Sequence, residues 1–296
     1  MPLIDQIVNV QELATLPEVT KSVLDMLQSN DVDMRTISKI IEKDPVLAFK
    51  VLKVINSPLF AIHGKIRSIP QAIMLMGLGK LTNIVLSVSI FSRFWFSKNK
   101  DAEAMMEKFW MYSSSTGIVA KEIGKKIHKD EERGIELIGG LLHQIGKIAM
   151  FQFNVPQYKK AIDIVVNEKA TDNQAERKIY GFSHLDVGEE MAKKWRLGNE
   201  IKNVIANYQQ PARTTSDREL AASVGFSGVV CAVNGADFYK GISLSNPSDA
   251  VQWQVLCEDF PALKAEGPTF ITDNIKKHLR ESVQYLMTLK SSLSST

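Results

Sequence analysis

Residues 139–147 read Gly139-Gly140-Leu141-Leu142-His143-Gln144-Ile145-Gly146-Lys147, a polar His-Gln pair set inside an apolar run. Around it Ile135, Ile138, Leu142, Ile145 and Ala149 recur at helical spacing, which predicts one helix over about 132–153 with its apolar face inward. Helical patterns continue on both sides. Upstream lies a segment over about 105–126, and downstream lie segments over 158–168, 175–180 and 185–195. In the last of these, His184, Gly188, Met191 and Trp195 share one face. Asn199 reads as the cap of a helix reaching Tyr208.

Farther from the centre the punctuation is still helical. Pro17 opens a segment striped by Val19, Val23, Met26 and Leu27; Asp33 caps the next, and Asp44-Pro45 is an N-cap followed by proline at the first helical position. The helix that follows, 46–56, is apolar nearly all round and is expected deep in the core. Asn56-Ser57-Pro58 ends it, a short helix runs from Pro70 to Gly77, and an apolar helix starts at Leu81. Beyond Tyr208, residues 211–218 read as a surface loop, 220–239 as a long helix, 241–270 as loop-rich, and 272–289 as a final amphipathic helix. No stretch alternates polar and apolar residues as a half-buried strand does, so the fold class is all-α. The polar residues Lys98 to Asp101 mark a boundary, which divides the chain into 1–100, 101–210 and 211–296.

Composition narrows the function classes. With 45% hydrophobic and 23% charged residues among 296, the chain can build a substantial core, and a net charge of +3 is no nucleic-acid footprint. The basic cluster at 121–129 runs straight into Asp130-Glu131-Glu132 without interleaved aromatics, so no nucleic-acid partner is expected. Gly77-Leu78-Gly79-Lys80 lacks the spacing and the preceding strand of a phosphate loop. The two cysteines, Cys231 and Cys257, form no CxxC pair and fit reduced thiols of a cytoplasmic protein. The N-terminus carries no secretion signal, and the most apolar stretch, 81–96, is too short and too polar for a membrane span.

The Leu-Leu-His-Gln-Ile-Gly stretch resembles the place where HD-type metallophosphohydrolases carry a His-Asp pair. That resemblance implies a site completed by further histidines and a downstream Asp. Such ligands hold a divalent ion that lowers the pKa of bound water from ~15.7 toward ~7. Here the set is dissolved: Gln144 replaces the Asp, Met111-Tyr112-Ser113 stands near Trp110 where the first His is expected, and Asn207-Tyr208-Gln209-Gln210 stands where another would follow. Asn234 occupies the region of the last Asp. Three further stretches resemble the HDOD family, HD-related helical modules that commonly lack the metal ligands: Leu52 to Phe60 with Ile69-Pro70-Gln71 and Met76-Gly77; the Leu-Leu-His stretch; and Tyr180 to His184 with Val187-Gly188 and Trp195-Arg196-Leu197. Gly198 stands where many relatives have proline, and the resemblance spans roughly residues 8 to 210.

It implies an N-terminal helical subdomain packed on an HD-like bundle, completed by a C-terminal helical extension, and a bacterial signal-transduction module without catalytic residues, bound metal or cofactor. Partners would be signalling proteins acting in trans, since no receiver, kinase or cyclase segment is recognisable, with room for a nucleotide-like ligand and for a homo-oligomer. A divergent phosphohydrolase using His143, His184 and Asp186 or Asp237 is the competing expectation, and a nucleotide sensor without turnover is a third. Tyr112, His143, Gln144, His184 and Tyr208 are candidates for the walls of a vestigial pocket; the alternative is that both histidines are core residues satisfied internally. Asn56 and Ser57 are candidates for an interface or simply end their helix. Phe94 and Trp95, with Phe91 and Phe96, are candidates for a partly exposed docking patch.

Overall fold

Side-chain caps start three of the early helices in the computed structural model, which describes residues 2–10, 16–27, 33–60, 62, 64–95, 100–129, 133–237, 239 and 246–293. After α1 (Leu3–Val8) and α2 (Glu18–Leu27), α3 (Met34–Glu42) begins where the Asp33 carboxylate accepts from the N–H groups of Arg35 and Thr36 at 3.1 and 3.0 Å. The Asp44 carboxylate accepts from Leu47 N–H at 2.9 Å and opens α4 (Pro45–Ile55). Ser68 caps α5 (Ile69–Met76), and Gly77, at φ +80°, turns the chain into α6 (Leu78–Phe94).

The central part comprises α7 (Lys100–Ile127), α8 (Ile135–Leu142), α9 (Ile145–Phe153), α10 (Val155–Glu168), α11 (Asp172–Tyr180), α12 (His184–Lys194) and α13 (Asn199–Asn207). Then come α14 (Arg218–Val233), α15 (Val251–Asp259), α16 (Pro261–Glu266), α17 (Thr269–Thr272) and α18 (Ile275–Leu293). The architecture is all-α, with no strand among the described residues and no helix long and apolar enough to cross a membrane.

The long helix α7 is the common wall. It packs along α8, α14 and α18, while α9, α12 and α13 complete the bundle around α8. The last helix returns to α4 and α6, so one buried apolar cluster runs from Ile7 through Phe151 to Tyr285 and Leu293. Glycines let the site-bearing helices meet backbone to backbone. A Cβ on Gly140 would lie 2.2 Å from Gly117 Cα, one on Gly146 would lie 2.0 Å from the His184 carbonyl oxygen, and one on Gly225 would lie 2.0 Å from that of Tyr208.

The structure corrects several expectations. The helix expected over 132–153 is two helices, α8 and α9, broken at His143-Gln144, where Gln144 leaves helical geometry at φ −109°, ψ 18°. The His143 ring takes the Gly140 carbonyl, the acceptor that Gln144 N–H would use in a continuous helix. Helix α4 buries only one face: Val46 and Phe49 are exposed, because only Leu47, Val51, Val54 and Ile55 face the core. Gly198, not Asn199, caps α13, and α14 stops at Val233 rather than at Tyr239. The part of 241–270 that is described is mostly helical, and Pro261 at the start of α16 supplies a start signal. Helix α7 already begins at Lys100, inside the expected boundary 98–101, of which 98 and 99 lie outside the described residues, as do 130–132.

The close approaches carry a stability prediction. Gly146→Ala should destabilise the protein by about 1–3 kcal/mol or more, since the added methyl meets backbone and not a movable side chain. Gly79→Ala, with nothing within 4 Å of the added Cβ in α6, should be neutral or stabilise by up to about 1 kcal/mol. Urea denaturation midpoints of the two variants separate these outcomes.

Candidate functional site

Three helix junctions converge behind one cleft. His143 ends α8 and Gln144 opens α9; His184 is the first residue of α12; Tyr208 ends α13. Each stands at a helix end because a glycine close approach or a cap fixes that end: Gly146 packs against the His184 carbonyl oxygen, Gly225 against that of Tyr208, and the Asp186 carboxylate accepts from Ser183 N–H at 2.7 Å and Oγ–H at 2.8 Å. Tyr112 reaches the same place from α7. The five predicted pocket residues are thus brought together. The Tyr112 and His143 ring centroids lie 5.6 Å apart, those of His143 and Tyr208 4.7 Å, and those of His184 and Tyr208 6.1 Å.

Their exposure to the cleft differs. Tyr112, Gln144 and Tyr208 line a cavity of about 760 Å³, whereas His143 and His184 stand behind it, both buried. The opposite walls are the first turn of α11 (Asp172, Asn173), Gln209 and Gln252, with Leu185, Val229 and Val251 as apolar surface and Arg213 and Asp249 as charged lining.

Glu176, absent from the sequence-based candidates, organises the interior. It is 1% exposed, and its carboxylate accepts from Tyr158 O–H at 2.7 Å, from His184 backbone N–H at 2.8 Å and from His184 Nδ1 at 2.5 Å. A carboxylate accepts only, so Nδ1 carries the proton. The other ring nitrogen, Nε2, lies 2.8 Å from Tyr208 Oη, and the Gln209 amide donates to the same hydroxyl at 3.2 Å. The signal for Glu176 was present in the sequence: it shares the apolar face of its helix with Ile179 and Tyr180, where an acidic residue needs a buried partner. Nearby, the buried Lys147 donates to the Asp172 carboxylate, which also accepts from Tyr239 Oη.

Burial dominates the protonation states. It pushes the Tyr158 and Tyr208 hydroxyls well above their ordinary range, so both remain donors. His143 is held down to about 3, by burial first; the Gly140 carbonyl at 2.6 Å opposes this, while the Lys147 ammonium adds to it. Burial works against the charge of Asp172, yet the Lys147 ammonium beside it keeps its carboxyl below the usual value.

These residues do not fit a catalytic metal. His184 has both nitrogens engaged, Glu176 already accepts from three donors, Asp172 is tied to Lys147 and Tyr239, and position 144 is a neutral amide. One unpaired imidazole nitrogen, His143 Nε2, and the neutral amide oxygens of Gln144 and Asn173 remain where about three imidazole or carboxylate ligands are needed. Among the described residues no group of three or more His, Cys, Asp or Glu side chains is placed to hold a metal ion. Asp186 is committed to Ser183 and to Arg177 at 2.9 Å, and Asn234 donates to Val230 O at the end of α14.

A family model, the HDOD domain, matches residues 13–211. The chain belongs to the HDOD domain family. Among solved structures this HDOD chain is similar to an HDOD domain protein of unknown function from Geobacter sulfurreducens, with TM-score 0.70 and 21% identity over 94% of this chain and 91% of that one. It is also similar to a Shewanella amazonensis SB2B protein bearing a phosphohydrolase name, with TM-score 0.69 and 18% identity over 98% and 97% of the two chains. A Marinobacter aquaeolei VT8 protein bearing a signal-transduction name gives TM-score 0.68 and 17% identity over 100% of this chain and 62% of that one. At these identities the likeness is one of fold. An uncharacterised protein of Treponema pallidum (strain Nichols) is 21% identical over 221 residues, 74% of this chain; the chain spans 42% of that curated relative's length.

None of the four candidate interface residues lines the cleft. Asn56 clamps the connector after α4: its Nδ2 donates to Leu52 O at 2.7 Å and Ile66 O at 2.8 Å, and its Oδ1 accepts from Ile66 N–H at 2.9 Å. Ser57 is buried beside it. Phe94 and Trp95 form no exposed patch. Phe94 packs edge-on to Trp195 at 5.6 Å, and Trp95 lies between Phe91 and the Lys290 ammonium, 5.0 Å from its ring centroid. Phe96 lies outside the described residues.

The state of His143 predicts a pH dependence. An unfolded chain protonates this histidine near pH 6.5, whereas the native chain resists protonation down to about 3. Its contribution is therefore whole above pH 6.5 and is lost as pH falls through that window. His143→Gln should flatten the acid limb of a urea-midpoint profile between pH 6.5 and 4, with a difference on the order of a few kcal/mol at its lower end. An unchanged limb would contradict the assignment.

Proposed function

We propose that this chain is a non-catalytic regulatory module, which binds a small polar ligand or a partner protein at the cleft between α11, α13 and α14 and changes the packing of those helices in response. The observation that carries this reading is the occupied His184 ring: Nδ1 held by Glu176 and Nε2 by Tyr208 leave it no lone pair to offer an ion. Gln144 deepens the loss, since an amide supplies no charge to offset a dication. What survives of an ion-holding scaffold is a cavity with polar walls, of the size that receives small molecules. Family membership and the signal-transduction name of the Marinobacter neighbour support a regulatory role, with signalling proteins acting in trans as partners.

The test is direct. Protein purified without chelator should contain well under one equivalent of iron, manganese, zinc or nickel. It should not hydrolyse bis(p-nitrophenyl) phosphate above the rate of buffer when those ions are added. Gln144→Asp alone should remain inactive, because His184 is still engaged. A stoichiometric metal together with phosphodiesterase turnover would replace this reading by the phosphohydrolase one.

A further inference from the structure

The hydrogen bonds behind the cleft run in one direction. Glu176 can only accept, so His184 turns its Nδ1–H inward and offers Nε2 to Tyr208 O–H. The Tyr208 oxygen then accepts from Gln209 Nε2, and Gln209 Oε1 accepts from Asn173 Nδ2. Gln252 likewise turns its Nε2 inward, onto the carbonyls of Gln209 at 3.0 Å and Tyr208 at 3.4 Å. Every amide in this set uses its donor on the protein.

Two acceptor oxygens are left over. Gln144 Oε1 and Asn173 Oδ1 are buried atoms with no hydrogen-bond partner among the described residues, and both belong to side chains that line the cleft. Gln144 is 4% exposed, so its amide is fixed by packing rather than free to turn toward bulk water. Orientation of the two amides follows from the relay: the Gln144 amide meets the Tyr208 hydroxyl, whose proton already goes to His184, so its N–H faces that oxygen, and reversing Asn173 would set two oxygens against each other at Gln209. Buried polar atoms are almost always paired in native proteins, and orphaned acceptors on side chains that wall a cavity are candidates for a ligand's donors. The remaining lining suits a flat, largely uncharged molecule. Leu185, Val229 and Val251 give apolar walls, Lys147 already answers Asp172, Asp186 already answers Arg177, and the two other charged lining residues, Arg213 and Asp249, are exposed and of opposite sign.

We propose that the cleft selects a planar nitrogen heterocycle whose N–H edge donates to Gln144 Oε1 and Asn173 Oδ1, and that it does not select a phosphate group. This rests on the reading of the cleft as a ligand site and names the chemistry of what it takes. It also reverses the polarity that the HD-type resemblance implies, in which a cation and a phosphoester would occupy the same region. Substituting an amide for a carboxylate at position 144 removes the charge while keeping an acceptor, which suits recognition of a neutral donor.

Isothermal titration of the full chain with guanosine, cytidine and inorganic pyrophosphate tests the proposal, with Gln144→Met and Gln144→Glu as variants and circular dichroism to verify their fold. At least one nucleoside should bind the unmodified protein, more tightly than pyrophosphate. Gln144→Met, which keeps the volume and removes the acceptor, should weaken that binding about tenfold or more, whereas Gln144→Glu, which keeps an acceptor oxygen, should retain it. Preference for pyrophosphate, nucleoside affinity unchanged in Gln144→Met, or no nucleoside binding at all would overturn the proposal. Each of those results leaves the non-catalytic reading standing if phosphodiesterase turnover is absent, so the two fail separately.

Discussion

A carboxylate buried as completely as Glu176 must be met by donors, since a buried charge without partners costs several kcal/mol. Three donors meet it, and two come from His184, through its backbone and its ring. That requirement fixes the start of α12, the tautomer of His184, the hydroxyl direction of Tyr208 and, through Gln209, the orientation of Asn173. The polar arrangement of the cleft is the outer end of a chain whose inner end is one acid.

The relay holds because its helices cannot slide. Gly146 against the His184 carbonyl and Gly225 against the Tyr208 carbonyl bring α9 to α12 and α14 to the end of α13 at backbone contact. The break at His143-Gln144 belongs to the same construction. By taking the Gly140 carbonyl, His143 ends α8 and lets α9 leave at a new angle, with Gln144 aimed at the cleft. His143 thus serves as a helix joint and Gln144 as a wall of the cleft.

Much of this was legible in the sequence. The caps Asp33 and Asp44 and the helical stripes gave the element order, and the Leu-Leu-His stretch gave the family. The convergence of Tyr112, His143, Gln144, His184 and Tyr208 was also foreseen as a group. Two kinds of feature were not. The helix break depends on a side chain competing for a backbone carbonyl, which periodicity does not register. Glu176, Asp172 and Lys147 look like ordinary surface charges until the fold buries Glu176 and Lys147 and sets Asp172 against the latter, and only the position of Glu176 on an apolar helix face hinted otherwise. Phe94 and Trp95 failed as an exposed patch because their cover arrives from distant segments, Trp195 and Lys290.

The central claim is that His184 is fully committed within the protein. The most direct measurement is the ¹⁵N NMR signature of the histidine ring nitrogens, recorded before and after addition of Zn²⁺. The account predicts a His184 ring protonated at Nδ1 and hydrogen-bonded at Nε2, unchanged by one equivalent of the ion. A stoichiometric shift of the His184 and His143 ring nitrogens on addition of Zn²⁺ would contradict it.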